Sequence, residues 1–163
     1  MIPVFNDRLR LPRAVASVLA QGVAVQVVLV DDCSTDGSRD LAMDLARSDS
    51  RIVAFPLPWN RGQGYARNIG VAVADASIVT FLDQDDEHVA GWYEHALGLL
   101  RAHPDLAAVK GELELMDLPP GVSVARGDRS TPSRVRYASR SRLSSVVACT
   151  GGIGDGSDVI CST

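Results

Sequence analysis

The sequence predicts an α/β protein with a doubly wound, mostly parallel sheet and helices on both faces. Short apolar runs bounded by turn residues alternate with amphipathic helical patterns. After the first run, the strands begin near residues 25, 52, 77 and 106, so one unit repeats about every 25–29 residues. This is the β-α-β rhythm of a parallel sheet. A chain of 163 residues is long enough for one domain with its own core.

Each predicted strand is a short apolar run. Residues 1–5 form the end of a first strand, and the β-branched run 25–30 suits a strand that is covered on both faces. Further strands are predicted over residues 52–55, 77–82 and 106–110. One more strand is predicted over residues 144–149, whereas the tail from about residue 151 shows neither a helical period nor a clear strand.

Helical spacing of apolar residues fills the intervals between these strands. Leu11, Val15 and Val18 share one face of a first helix, and Pro12 lies in its first turn, where proline is tolerated. The same reasoning predicts helices over residues 38–47, 63–74 and 90–103.

Composition excludes some classes of partner and site. Hydrophobic residues make up 46% and the net charge is −4, which is ordinary for a soluble protein and argues against nucleic acid as a partner. Residues 123–145 depart from this average, with six Arg, seven Ser and one acidic residue. Such a run is more often a solvated loop than a site for an anionic acceptor or a lipid headgroup.

The cysteines and the apolar runs predict a location. Cys33, Cys149 and Cys161 are odd in number and lack CxxC spacing, so they match neither a disulfide framework nor a zinc site. The longest uncharged run, residues 14–30, is short for a membrane span, and no signal peptide is visible. We therefore expect a cytoplasmic protein, which is also compatible with peripheral association at the inner face of the membrane.

Ligands of a doubly wound sheet bind beyond the carboxyl ends of its strands, so polar residues that follow the strands are the candidate site. The strand ending at Val30 is followed by DDCSTDGS at residues 31–38. Its paired carboxylates can accept hydrogen bonds from a base or a ribose. The alternative is a polar loop that caps the next helix.

The strand ending at Leu82 is followed by DQDDEH at residues 83–88. Five ionisable side chains in six positions repel one another unless a cation or solvent relieves them. Carboxylates of this kind suit Mg²⁺ or Mn²⁺. The alternative is an acidic turn that caps the following helix.

A third element is NRGQGYARNIG at residues 60–70. Glycines at the start of a helix allow close approach of a ligand, and the helix N-terminus attracts anions. Arg67 lies about one turn into this helix, within reach of a diphosphate. The segment is not a dinucleotide fingerprint, because Arg67 stands where that motif has its third glycine. The alternative is a helix start that glycine merely eases.

Taken together, these segments resemble the family 2 glycosyltransferases, which have the GT-A (Rossmann-like) fold. The resemblance covers about residues 1–116, and its motifs occur in the order and spacing of the family. The matching segments are IPVFN (2–6), SVLAQ (17–21), VDDCSTDGS (30–38), NRG through ARNIG (60–70) and FLDQDD (81–86). The resemblance implies a nucleotide-sugar-binding domain over residues 1–116, followed by an irregular remainder over 117–163, which would be a truncated acceptor half.

The resemblance also implies roles for individual residues. Base-pocket residues would lie at the end of the first strand, a carboxylate would contact the uracil or an equivalent base, and an arginine would approach the diphosphate. The DxD-type signature would hold the metal, with Asp85 facing the ribose or the metal. These positions are Pro3, Phe5 and Asn6 for the pocket, Asp32 for the base, Arg67 for the diphosphate, and Asp83, Asp85 and Asp86 for the metal.

The implied reaction is inverting, metal-dependent transfer of a sugar from a nucleoside diphosphate to an acceptor hydroxyl. The expected nucleoside diphosphate is UDP. The acceptor would be a saccharide, a lipid or a protein, in the synthesis of a cell-envelope polysaccharide. Mg²⁺ or Mn²⁺ would neutralise charge on the leaving diphosphate, and a carboxylate base would take the proton of the acceptor.

The chain departs from the family in its C-terminal part. The family's base belongs to an acidic pair well beyond the metal motif, and no such element is found; Asp155 and Asp158 do not match it. A catalytically incomplete nucleotide-binding relative therefore remains an alternative. A receiver-type signalling domain would also have an acidic pair and a lysine such as Lys110, but its acidic pair follows the first strand.

Overall fold

The computed structural model describes residues 1–103, 108–110, 146–149 and 160–161. Within these ranges strands and helices alternate through α4, as the sequence predicts. The strands are β1 Ile2–Val4, β2 Val27–Asp31, β3 Ile52–Pro56, β4 Ile78–Val79, β5 Ala108–Lys110, β6 Val146–Cys149 and β7 Ile160–Cys161. The helices are α1 Leu11–Leu19, α2 Ser38–Ser48, α3 Gln63–Val73 and α4 Trp92–Ala102.

The strands β1, β2 and β3 form a parallel sheet with β2 in the centre. In a second group, β4 lies between β6, which is antiparallel to it, and β7, which is parallel, while β5 pairs with the far edge of β6. Backbone atoms of Met1 join the two groups. Its amino group donates to the carbonyl of Thr80 at 2.9 Å, and its carbonyl accepts from the amide of Leu82 at 3.1 Å.

The strands depart most from the prediction at β4 and at β7. Regular pairing of β4, with β6 and β7, covers only two residues of the expected 77–82, and the segment 80–82 instead contacts the backbone of Met1. The expectation that no strand follows residue 151 is wrong for Ile160–Cys161, which forms β7 beside β4. The predicted strand at 144–149 is confirmed as β6.

The strand β2 is buried along its whole length, which confirms that both of its faces are covered. Val27 and Leu29 pack into the larger apolar cluster, which contains the buried faces of α1 and α4. Val28 and Val30 pack on the other side against Met1 and α3. Burying a valine or leucine side chain contributes about 1.5–3 kcal/mol, so this strand anchors both layers of the fold.

The segment before α4 carries a buried histidine. The side chain of His88 is only 7% exposed, and its Nδ1 lies 2.9 Å from the hydroxyl of the fully buried Tyr93. Burial, reinforced by the N-terminal ammonium, lowers the pKa of the His88 imidazole from its usual 6.5 to about 4. This histidine is therefore neutral at pH 7 and belongs to the core.

Among the described residues, none of the helices is long and apolar enough to cross a bilayer.

Replacement of Gly70 by alanine should destabilise the fold. A Cβ atom at this position in α3 would lie 2.2 Å from Cγ of the buried Met1 side chain. Overpacking of this kind costs about 1–3 kcal/mol. A Cβ atom at Gly98 in α4 would meet no other atom within 4 Å. Gly98→Ala should therefore be neutral or should stabilise the fold by up to about 1 kcal/mol. Urea denaturation of both variants measures the difference, and equal effects would contradict the close approach of Met1.

Acid should destabilise the protein through His88. Because the folded-state pKa of His88 is about 4 and the unfolded value is about 6.5, the unfolded chain binds an extra proton between these values. This contribution to stability is complete above pH 6.5 and is lost as the pH falls towards 4. It amounts to up to about 3 kcal/mol. His88→Gln should remove this part of the pH dependence of the free energy of unfolding, whereas His103→Gln, at an exposed position, should leave it in place.

Candidate functional site

A cleft of about 530 Å³ opens at the carboxyl ends of β1, β2 and β4. The sequence predicted a site at this edge, and the structure confirms that polar residues from separate strand ends meet there. The lining residues come from the end of β1, from the residue after β2, from the segment that leads into α3 with its first residue, and from the acidic turn after β4. They are Pro3, Val4, Phe5, Asp32, Asn60, Gly62, Gln63, Asp83, Gln84, Asp85 and Asp86.

The two adjacent carboxylates at the end of β2 serve different parts of the fold. Asp31 is buried and accepts hydrogen bonds from the amide of Ser34 and from Nε of Arg39 at 2.8 Å. Arg39 also donates to the carbonyl of Leu57, which ties α2 to the segment after β3. Successive side chains of an extended strand point to opposite faces, so only Asp32 is directed to the cleft. Asp31 is a structural residue.

Asp32 holds the start of α3 in place. Its Oδ1 accepts the amide of Arg61 and its Oδ2 accepts the amide of Gly62, both at 2.7 Å. The side-chain amide of Asn60 donates to the carbonyl of Asp32 at 3.1 Å. Gly62 has a φ of 83°, a backbone conformation that residues with a side chain rarely adopt. This conformation directs the chain from the cleft wall into α3. The carboxylate that the sequence selects for base contact is thus also the anchor of the opposite wall.

The loop after β1 is fixed by hydrogen bonds that span large sequence separations. Gln84 makes a reciprocal pair with the backbone of Phe5: its Oε1 accepts the Phe5 amide at 2.7 Å, and its Nε2 donates to the Phe5 carbonyl at 2.8 Å. The side-chain oxygen of Asn6 accepts a hydrogen bond from the backbone amide of Thr35 at 2.8 Å. The backbone amide of Asn6 donates to Ser34 Oγ. Sequence reasoning missed Gln84, because a glutamine between two aspartates carries no signal of its partner.

The acidic turn gathers three carboxylates. One oxygen from each of Asp83, Asp85 and Asp86 lies within 4.8 Å of the others. Asp83 is buried, Asp86 is half-buried and Asp85 is exposed. Carboxylates at this separation repel one another, and a cation between them would remove that repulsion. The arrangement can therefore hold a divalent ion, as the sequence predicts.

Arginine side chains already offset part of this negative charge. Arg67 donates from an Nη atom to Asp83 Oδ1 at 2.7 Å, and Gln63 donates to the same oxygen at 2.6 Å. The Arg67 guanidinium lies 5.9 Å from the ring centre of Phe81, so it is held between the turn and this ring. From the other side, Arg10 and Arg13 approach the turn. Arg10 lies 3.5 Å from Asp85, and Arg13 lies 2.6 Å from Glu87.

Most of the predicted site residues line the same cleft. Pro3, Phe5, Asp32 and the three aspartates of the turn are all in its wall. Asn6 and Arg67 are not: the first positions the loop between β2 and α2, and the second pairs with Asp83. Arg10 and Arg13 were not predicted, because they precede their acidic partners by more than 70 residues. The Arg/Ser stretch at 123–145 and the residues Asp155 and Asp158 lie outside the described part.

Solved glycosyltransferase structures share this architecture. TarS of S. aureus in complex with UDP superposes with a TM-score of 0.65 at 22% identity, over 77% of this chain and 37% of that chain. The mannosyltransferase PcManGT of Pyrobaculum calidifontis, in complex with GDP-Man and Mn²⁺, gives 0.62 at 24% identity, over 67% and 33% of the two chains. At these identities the likeness shows the fold, and it confirms the predicted GT-A class.

Sequence relatives are closer over a shorter region. An uncharacterized glycosyltransferase of Haemophilus influenzae is 37% identical over 87 residues, which are 53% of this chain and 35% of the relative. The succinoglycan biosynthesis protein ExoO of Rhizobium meliloti is 41% identical over 87 residues, 53% of this chain and 24% of the relative. The matched region is thus about a quarter to a third of the length of these relatives.

The family model named Glycosyl transferase family 2 matches residues 1–140, well over half of the chain. Its match includes every strand end that lines the cleft. It also excludes the receiver-type alternative, in agreement with an acidic pair that follows the second strand rather than the first. The chain belongs to glycosyltransferase family 2.

Proposed function

We propose that this chain binds the nucleoside-diphosphate sugar, a UDP-sugar, of an inverting glycosyltransferase that transfers the sugar to an acceptor hydroxyl. The observation that carries the proposal is the cleft itself, in which a buried carboxylate faces a triad of acidic residues across the ends of three strands. Because the matched region covers only part of its relatives' length, the complete transfer is proposed for the whole protein. The described residues supply the donor side.

In this proposal the nucleobase of the donor binds at the end of β1. The Phe5 side chain is 46% exposed at the cleft and offers a ring against which a base can pack, beside Pro3. Each oxygen of the Asp32 carboxylate accepts one backbone amide and keeps a second lone pair. Asp32 can therefore accept an N–H of the base while it holds α3. Asn6 acts indirectly, by fixing the neighbouring loop.

A divalent ion, Mg²⁺ or Mn²⁺, fits the acidic turn. Three carboxylates with oxygens within 4.8 Å of one another are the hard ligands that these ions prefer. We assign Asp85 and Asp86 to the ion, with Asp85 also near the ribose, and Asp83 through Oδ2, since its Oδ1 is taken by Arg67 and Gln63. A bound ion would stabilise charge on the leaving diphosphate. The mannosyltransferase solved with GDP-Man and Mn²⁺ supports this assignment.

Arg67 would contribute positive charge on the diphosphate side. It lies one turn into α3, close to the helix N-terminus, where anions are favoured. One of its Nη atoms is committed to Asp83, and its buried Nε has no hydrogen-bond partner among the described residues. The terminal N–H groups of the guanidinium, rather than the buried Nε, are therefore the donors that would approach a diphosphate while Arg67 holds Asp83.

The acceptor and the location of the reaction are proposed more broadly. The similarity to a succinoglycan biosynthesis protein supports a role in polysaccharide synthesis. We propose a saccharide, lipid or protein acceptor, and the inner face of the membrane as the location. A second candidate is a nucleotide-binding relative that does not catalyse transfer. Because the chain spans only part of its relatives' length, activity measured on the whole protein distinguishes this alternative from transfer.

Asp86→Ala should weaken the metal-dependent binding of the nucleotide. Calorimetric titration of UDP in the presence of Mn²⁺ should show binding to the wild type and a loss of at least about tenfold in the variant, because one ion ligand is removed. Asp44→Ala changes an exposed aspartate on α2 and should bind UDP like the wild type. If the folded wild type binds neither UDP nor other nucleoside diphosphates, the proposed donor site is wrong.

The two aspartates at the end of β2 provide a matched pair. Asp32→Asn and Asp31→Asn should each reduce stability by about 1–3 kcal/mol, because each weakens buried hydrogen bonds. Only Asp32→Asn should also weaken UDP binding, by about tenfold or more, since only Asp32 lines the cleft. Thermal unfolding and calorimetry of both variants measure the two effects. Equal loss of UDP affinity in both variants would show that Asp32 acts only through the fold.

A further inference from the structure

Arg10 lies at the rim of the cleft and bridges carboxylates from two different loops. It stands just before α1, and its Nη2 lies 2.6 Å from Oδ2 of Asp7, while its amide donates to Asp7 Oδ1 at 3.3 Å. Its other terminal nitrogen, Nη1, lies 3.5 Å from Oδ2 of Asp85. One end of the guanidinium is therefore anchored to its own loop, and the other end touches the acidic turn.

The two contacts differ in distance and in burial. The Asp7 contact is an ion pair at 2.6 Å, without hydrogen-bond geometry, to a side chain that is nearly buried. The Asp85 contact is long, and both side chains are open to solvent, at 59% and 48% exposure. An exposed pair of this kind contributes little to stability and is easily exchanged. Arg10 can thus release Asp85 without leaving the rim of the cleft.

Asp85 is also one of the three carboxylates to which we assign the divalent ion, so this inference rests on the proposed function. A guanidinium and a divalent ion compete for the same oxygen and repel each other at short range. In the absence of an ion, Arg10 lowers the repulsion among the three carboxylates from the rim, as Arg67 does from α3.

We propose that Arg10 is a positioning residue of the ion site: it holds Asp85 while no ion is bound and yields this oxygen to an arriving divalent ion. Once released, its terminal N–H groups, still anchored through Asp7, bind the diphosphate of the donor. The residue would then oppose binding of the ion alone and favour binding of the nucleotide with its ion. These two effects have opposite signs, which a purely structural role does not produce.

The first experiment measures Mn²⁺ binding to the metal-stripped 163-residue chain without nucleotide, by loss of the free-ion signal in electron paramagnetic resonance. Arg10→Gln should bind Mn²⁺ about fivefold more tightly than the wild type, the upper end expected for one exposed charge pair. The difference should shrink in about 1 M salt, which screens exposed charges beyond about 3 Å. Arg10→Lys keeps the charge and should stay within about twofold of the wild type.

Arg13→Gln is the matched control. It removes an arginine of α1 that pairs with Glu87 at 2.6 Å, at the same acidic turn but outside the three carboxylates of the ion site. Its Mn²⁺ affinity should equal that of the wild type. A similar gain in both variants would mean a general charge effect and would overturn the assignment to Arg10.

The second experiment titrates UDP at saturating Mn²⁺. Arg10→Gln should bind UDP about threefold or more weakly, because a diphosphate contact is lost. Weaker or unchanged Mn²⁺ affinity in Arg10→Gln would overturn the proposal, as would unchanged UDP affinity. Thermal unfolding verifies the fold of each variant, and Arg10→Met, which keeps the aliphatic stem, replaces the glutamine variant if that one does not fold.

Failure of this inference can be separated from failure of the proposed function. Wild-type Mn²⁺ binding that Asp86→Ala removes but that Arg10→Gln leaves unchanged would overturn only the role of Arg10. If the wild type shows no Mn²⁺ binding that depends on Asp86, the ion site is wrong and the inference falls with it.

Discussion

The two-sided burial of β2 is the constraint on which the rest of the structure depends. All five residues of this strand are buried, between α1 and α2 on one face and α3 on the other, and β1 and β3 pair along its edges. A strand in this position has no place for a charged side chain within its apolar span. Its carboxylates stand at its end, where backbone amides and Arg39 meet them. The same requirement applies at β1 and β4, so the polar residues converge on one edge.

Periodicity predicted the elements because the chain is locally consistent. The apolar runs became strands, and helical spacing predicted α1 and placed α2 to α4 within about two residues of their observed bounds. The limits of β4 could not be predicted, because they depend on its pairing with β6 and β7, which come from distant parts of the chain. The strand β7 was missed because two residues carry no detectable period.

The site was predictable where chemistry is clustered in sequence and unpredictable where it is shared between distant segments. The density of acidic residues at the ends of β2 and β4 is visible in the sequence. Aspartates from both of these segments line the cleft. The contacts of Gln84 with Phe5 and of Arg10 with Asp85 span 79 and 75 residues, and no local pattern marks them. The pairing of Arg67 with Asp83 likewise depends on the packing of α3 against the sheet. Sequence thus located the carboxylates, whereas their pairing with arginines emerged only from the fold.

The reciprocal pair between Gln84 and the backbone of Phe5 has a consequence for how such a protein diversifies. The glutamine binds only the peptide groups on either side of the Phe5 side chain, so the ring itself takes no part in the link. Residue 5 can therefore be exchanged for another side chain while the acidic turn keeps its place relative to β1. In the proposed nucleotide site, selectivity for the base and alignment of the phosphate end would thereby be separable traits. A single substitution at residue 5 would then change the selectivity for the base and leave the alignment of the phosphate end unchanged.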